Sequence, residues 1–315
     1  MSRIEIERIL CPIDFSHQSL HAYAYAVALA RWYEARITAL HVLVTRPVIE
    51  GNPSIYAVTM PPLALDKLQR DLTSQLERCV RIPEAAGVDL EVRVQQAPSV
   101  HHEILAQSGV RQSDLIVMGT HGLGGFDRWV LGSVTEKVLR KAHVPILVVP
   151  PRAAAAPSMA APGFKRILCA VDFSAGSDEA LAFAVSLAEE ADGELTLLHV
   201  IDDAPIYQEP VSASDLLAAK RSCVGRLEQL LPDDARTYCE PSVHVTVGEP
   251  KREIVKTAQD RAAELIVVGV HGRNAIDRLV FGSTTSAVIR ASTCPVLAVR
   301  CPQLAARRAA SSGGA

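Results

Sequence analysis

One pattern occurs twice in this chain and restricts its fold more than any other feature. Gly119-Thr-His-Gly122 is followed, nine residues on, by Gly132-Ser133, and Gly269-Val-His-Gly272 is followed at the same spacing by Gly282-Ser283. Each copy comes after an apolar run, Leu115-Ile-Val-Met118 or Leu265-Ile-Val-Val268, bounded by Asp114 or Glu264. Each precedes a stretch with helical spacing, 133–142 or 283–292. A buried strand, a glycine loop and a helix start in that order form a phosphate cradle. Glycine lets the backbone approach an anion, and N–H groups without helical partners point at it. Three glycines at fixed offsets arise by chance in about one chain of this length in ten. Two copies at matching places in a repeated unit are hard to assign to chance.

The repeat extends beyond the loops. Arg8-Ile-Leu-Cys-Pro-Ile-Asp14-Phe-Ser16 returns as Arg166-Ile-Leu-Cys-Ala-Val-Asp172-Phe-Ser174, an offset of 166 − 8 = 158, and Leu40-His-Val42 returns as Leu198-His-Val200 at the same offset. The glycine loops are offset by 269 − 119 = 150, so the second unit is 158 − 150 = 8 residues shorter. The extra residues are expected in 45–62, an irregular excursion with Pro47, Gly51, Pro53, Pro61 and Pro62. A length of 315 residues has room for two domains, and 49% apolar against 21% charged residues lets each bury a core. The organisation expected is a first domain over 1–150, a spacer without fixed structure over 151–163, a second domain over 164–302 and a disordered tail over 303–315.

Within a unit, short apolar stretches alternate with helical ones. The first unit reads as strands at Ile9–Ile13, Arg36–Val44, Val88–Val94, Leu115–Met118 and 145–149. Helices are expected at Ser19–Tyr33 with Ser16 as N-cap, Leu63–Ala86, His101–Gln107 and Ser133–Ala142. The second unit repeats this at 167–171, 177–190, 194–200, 213–231, 243–247, 251–259, 265–268, 283–292 and 295–299. Strands apolar throughout and separated by helices indicate an α/β fold, a doubly wound parallel sheet in each unit. Ligands bind beyond the carboxyl ends of such strands, where connections diverge. Asp14, Asp172 and both glycine loops fall there.

Charge and cysteine usage exclude other classes. A net charge of −3 argues against a nucleic-acid groove or an anionic membrane surface. No apolar run reaches the ~18 residues of a membrane span, and Ile9-Leu-Cys11 is too short for a signal-peptide core. The seven cysteines form no C-x-x-C pair, and Cys11 and Cys169 read as reduced core thiols, so a cytoplasmic location is expected. There is no Gly-x4-Gly-Lys-Ser/Thr, no Gly-x-Ser-x-Gly and no Gly-x-Gly-x-x-Gly after the first strand. A P-loop ATPase, a serine hydrolase and a dinucleotide dehydrogenase are thereby disfavoured. His101-His102 lacks a third ligand, and no metal site is expected.

The strand ending in Asp-Phe-Ser, the Leu-His-Val second strand and Gly-x2-Gly-x9-Gly-Ser before a helix and fifth strand resemble the universal stress protein family, in its ATP-binding branch. The likeness covers about 5–150 and 164–300, as in a tandem member. It implies two five-stranded sheets of order 3-2-1-4-5, an adenine nucleotide alpha-hydrolase-like fold, paired through their fifth strands. It further implies ATP, or ADP or AMP, with Mg²⁺, one nucleotide per domain. By this resemblance Asp14 and Asp172, with the preceding Pro12-Ile13 and Ala170-Val171, meet the ribose or adenine side, and Val42 and Val200 the adenine. Met118-Gly119, His121, Gly122 and Gly132 would admit the phosphates in unit one. Val268-Gly269, His271, Gly272 and Gly282 would do so in unit two. Ser133 and Ser283 would donate to phosphate, helped by Val134-Thr135 and Thr284-Thr285.

The function implied is nucleotide-sensing regulation of stress survival through a protein partner. No catalytic residue is assigned, and a second copy of the chain could join the pseudo-dimer within it. Two other readings stand beside it: a slow ATPase with water oriented by His121 or His271, and an interaction scaffold with one or both sites vestigial. Single residues also have plainer readings. The glycines could be turn residues, Ser133-Val-Thr-Glu136 fits a capping box, and Asp14 and Asp172 could serve only the following helix. His41 and His199 read as hydrogen-bonded core histidines, and Asp127-Arg128 and Asp277-Arg278 as ion pairs between units. The units differ after the third strand, Gly248-Glu-Pro250 against Pro98-Ser-Val100, and inside the loop, Arg273-Asn274-Ala275 against Leu123-Gly124-Gly125. The extra glycines should make the first loop more mobile.

Overall fold

A computed structural model describes residues 4–45, 62–120, 131–154, 156, 164–203, 212–232, 235–270 and 282–300. In the first unit β1 (Arg8–Pro12), α1 (His17–Tyr33), β2 (Arg36–Val44), α2 (Pro62–Val80) and β3 (Leu90–Ala97) are followed by α3 (Val100–Val110), β4 (Leu115–Gly119), α4 (Ser133–Lys141) and β5 (Ile146–Val149). The second unit has β6 (Arg166–Ala170), α5 (Ala175–Ala191), β7 (Glu194–Asp202), α6 (Ala213–Leu230), a one-turn α7 (Ala235–Tyr238) and β8 (Glu240–Gly248). It continues with α8 (Pro250–Asp260), β9 (Leu265–Gly269), α9 (Ser283–Ala291) and β10 (Val296–Val299).

All ten strands form one sheet of order β3-β2-β1-β4-β5-β10-β9-β6-β7-β8. Each half therefore has the order 3-2-1-4-5 expected from the resemblance. Pairing is parallel within each half and antiparallel only at the central seam, where Leu147 faces Leu297 and Val148 faces Val296. Because side chains alternate along a strand, every central strand feeds two cores. Ile9, Cys11, Ile37, Val117 and Leu147 lie on the face covered by α1 and α2. Leu10, Leu40, Ile116 and Val148 lie on the face covered by α3 and α4. The seam keeps this parity, so Leu297 joins the first core and Val296 the second. Each apolar layer therefore runs unbroken through both units.

Three differences from the sequence reading have local causes. Helix α2 ends at Val80 rather than Ala86, because Pro83 forces Ile82 into extended backbone (φ −84, ψ 157) and opens a separate short turn, Pro83–Ala85. Helix α7 was not foreseen, since four residues carry no readable periodicity. The start of the linker is not a free spacer: Tyr25 Oη donates to Ala154 O at 2.8 Å, Ala153 is 9% exposed, and Tyr25 stacks on Phe164 at 6.3 Å. The length difference falls where expected. From β2 to α2 the count is 62 − 44 = 18, and from β7 to α6 it is 213 − 202 = 11, which accounts for seven of the eight residues. Residues 46–61, the linker positions 155 and 157–163, and the tail from 301 lie outside the described residues.

Candidate functional site

Helices α1 and α2 connect strands across one face of the sheet, whereas α3 and α4 connect them across the other. The direction of connection reverses between the adjacent strands β1 and β4. In open α/β sheets such a reversal marks where ligands bind, beyond the carboxyl ends of the strands. Asp14, which follows β1, and Thr120, which follows β4, both stand there. The second unit places Asp172 and Val270 in the same way.

The turn after β1 is built tightly. Asp14 Oδ1 accepts from Ser16 N (3.0 Å) and Ser16 Oγ (2.5 Å), and Ser16 Oγ accepts from Ser19 N (3.1 Å) as N-cap of α1. Asp172 and Ser174 repeat the bracket at 3.0 and 2.5 Å, with a reciprocal capping box to Ser177. Both aspartates thus brace the residue that caps the next helix, while remaining half-buried beyond the strand ends. Between them and the caps, Phe15 (φ 65) and Phe173 (φ 61) take left-handed backbone, which costs a residue with Cβ roughly 1–2 kcal/mol. Each phenyl ring packs on a histidine, His41 or His199, with centroids 4.5 Å apart. Each histidine holds the turn in place through Nδ1, at 2.7 Å from Ile13 O or Val171 O. In unit two, the Arg226 guanidinium lies 3.7 Å from the Phe173 centroid. The repeated Asp-Phe-Ser and His were visible in the sequence. The strained phenylalanine and the arginine over it were not, because neither follows from periodicity.

The start of α4 is formed differently from what the capping-box alternative requires. Gly132, not Ser133, is the N-cap, and no side chain caps the helix. Gly282 does the same for α9. The first-turn N–H groups at 133–135 and 283–285 lack helical partners by construction. Ser133 and Ser283 are exposed beside them. Each cradle is tied to the preceding strand: Gly132 N–H donates to Thr120 O at 2.8 Å, and Gly282 N–H to Val270 O at 3.2 Å. Thr135 and Thr285 are buried, and their hydroxyls donate to Gly119 O and Gly269 O at 2.9 Å. What they have left to offer a ligand is backbone N–H.

Other expected contacts sit further back. Ile13, Val171, Met118 and Val268 are buried with side chains in the cores. Pro12, Ala170, Val42 and Val200 are half-buried. Gly119 and Gly269 carry a packing duty. A Cβ on Gly119 would stand 3.1 Å from Gln18 O, and one on Gly269 would stand 2.7 Å from Gly176 C and O. Both glycines let the first turn of α1 or α5 lie on the strand end. At the end of β8, Gly248 takes φ +153, a backbone closed to Pro98 at the matching position. Even so, α3 and α8 start in step, at Val100 and Pro250. His121, Gly122, His271, Gly272, the loop interiors 123–125 and 273–275, and Asp127, Arg128, Asp277 and Arg278 lie outside the described residues. Among the described residues no three His, Cys, Asp or Glu side chains could hold a metal ion, and no helix is long and apolar enough to cross a membrane.

Comparison with known proteins adds an independent line. The model of the universal stress protein family matches residues 5–150 and again 163–300. A universal stress protein of Mycolicibacterium smegmatis is 26% identical over 301 residues, 93% of this chain and 96% of its own length. One of Methanocaldococcus jannaschii is 32% identical over 143 residues, 45% of this chain and 81% of its own. A universal stress protein from Archaeoglobus fulgidus has the same fold, with a TM-score of 0.66 at 24% identity, covering 95% of this chain and all of that one (100%).

Proposed function

The chain belongs to the universal stress protein family, and from that premise we propose that it binds an adenine nucleotide in each unit, ATP in the first instance. Nucleotide occupancy would then be read by a protein partner in the cytoplasm under stress. The observation that carries this reading is the pair of helix starts at Gly132 and Gly282. Both are N-capped by glycine without a side-chain cap, and both stand at the point where the sheet's connections diverge. A phosphate there would meet the amides of 133–135 or 283–285 and the exposed hydroxyl of Ser133 or Ser283. Asp14 and Asp172 would face the ribose side. Mg²⁺ would enter with the phosphates.

Thermal unfolding with and without ATP tests this. A ligand at a hundred times its Kd stabilises the fold by about 2.7 kcal/mol. Gly132→Val together with Gly282→Val should remove that protection while the chain still folds. Protection that survives both changes refutes the cradle as the binding place. Mass spectrometry of small molecules released on denaturation would identify the nucleotide.

A further inference from the structure

Helix α4 is held at its far end by the other unit. Arg300, the residue after β10, is 6% exposed, and its Nη2 donates to Leu139 O at 2.9 Å and Arg140 O at 3.0 Å. These carbonyls belong to the last turn of α4, where the helix dipole is negative and carbonyls lack helical partners. A buried guanidinium answers both needs. The repeat makes the arrangement one-sided. The position matching Arg300 is Pro150, which has neither a side-chain donor nor an N–H. After α9 a local bracket shapes the turn instead. Ser292 Oγ donates to Cys294 O at 2.7 Å and accepts from Cys294 N–H at 3.2 Å. Unit one has Ala142 where unit two has Ser292. The turn after α9 is thus held from within its own unit, whereas the end of α4 is held from across the seam.

Arg300 follows directly on the strand that anchors the second cradle. Gly282 N–H donates to Val270 O (3.2 Å), and Val270 N–H donates to Val299 O (2.8 Å). Arg300 is the next residue. We propose that Arg300 is a positioning residue for the first cradle, setting from the second unit where the amides of 133–135 stand. This rests on the nucleotide reading above. Nine residues make a helix about 13 Å long, so a tilt of about 5° about the held end moves the amides by about 1 Å. A shift of that size spoils a preorganised anion site. The second cradle has no such reach from the other unit, because Pro150, the counterpart of Arg300, offers no donor to α9.

The test measures ATP affinity by calorimetry at one cradle at a time in the full chain. The first is isolated by Gly282→Val and the second by Gly132→Val. Arg300→Ala should weaken the first cradle about 5-fold or more and leave the second unchanged. Arg300→Lys should lose less than Arg300→Ala, because it keeps a positive charge at the negative end of the helix dipole. Equal affinities with only a lower melting temperature would reduce Arg300 to a structural staple and overturn the proposal. An equal loss at both cradles would overturn it too. If the unsubstituted chain binds no ATP, the nucleotide reading fails first and takes the affinity claim with it. Hydrogen exchange without nucleotide then decides the mechanical claim. Arg300→Ala should speed exchange at Gly132 N–H, which donates to Thr120 O at the start of α4, as well as in the last turn, and a change confined to the last turn contradicts it.

Discussion

Gly269→Ala separates a glycine needed for packing from one needed for a ligand. The added Cβ would stand 2.7 Å from the carbonyl carbon and oxygen of Gly176 and 3.0 Å from Ser177 N. Ordinary contact begins at 3.4 Å, so a relief of 3.4 − 2.7 = 0.7 Å is required. The obstacle is backbone, not the end of a flexible side chain. The first turn of α5 must therefore move off β9, carrying with it the Ser174–Ser177 capping box and the Asp172 bracket. Forced overpacking of this kind costs about 1–3 kcal/mol. At roughly 2–4 °C per kcal/mol for a domain of this size, the melting temperature should fall by about 2–12 °C. Gly119→Ala supplies the control inside the same molecule. Its Cβ would stand 3.1 Å from Gln18 O, a relief of only 3.4 − 3.1 = 0.3 Å. The lower entropy of the unfolded chain, about 0.4–1 kcal/mol, offsets much of that. Circular-dichroism melts of both variants without nucleotide would show the contrast. If Gly269→Ala melts with the unsubstituted chain, or no lower than Gly119→Ala, close approach of α5 does not demand the glycine and the reasoning fails.

Three further outcomes follow from the packing. Leu147→Ala and Leu297→Ala, opposite each other at the seam, should each cost about 2–5 kcal/mol; together they should cost less than the sum, because they share one cavity, which a denaturant cycle of the four chains measures. Burial pushes the Cys169 thiol up to about 12 and the Cys11 thiol up as well, so neither should react with a thiol reagent at pH 8 until the chain unfolds, as peptide mapping would show. Burial, and then the neighbouring His17, hold His21 below the usual histidine range. The folded state then binds fewer protons than the unfolded one, so this contribution is complete above about pH 6.5 and is lost as pH falls below it. Melts between pH 7 and 5 should show His21→Gln with a shallower loss than the unsubstituted chain.

How far the sequence could be read depended on the range of the cause. Strand and helix types followed from apolar spacing because each is set within a few residues. The helix expected over 63–86 stops at Val80 because Pro83 outweighs a continuing amphipathic pattern. Ser16 was readable as a cap because an N-cap acts on residues three positions away. The duty of the Thr135 hydroxyl is not legible for the opposite reason: it donates to Gly119 O, sixteen positions back, which no local rule predicts. The same holds for Gly269, whose need for a bare Cα comes from α5 rather than from its own loop.

By itself the sequence determined the two units, their alternating elements and the twin glycine patterns, because repetition and periodicity are written along the chain. Only the tertiary structure decided which backbone groups remain unpaired and what holds them in position. Gly132 as the bare N-cap, the left-handed Phe15 braced by His41, and Arg300 reaching into the other unit all depend on atoms that meet across strands and across the seam. Such meetings are fixed by packing three-dimensional surfaces against each other, and a linear order of residues does not contain their distances.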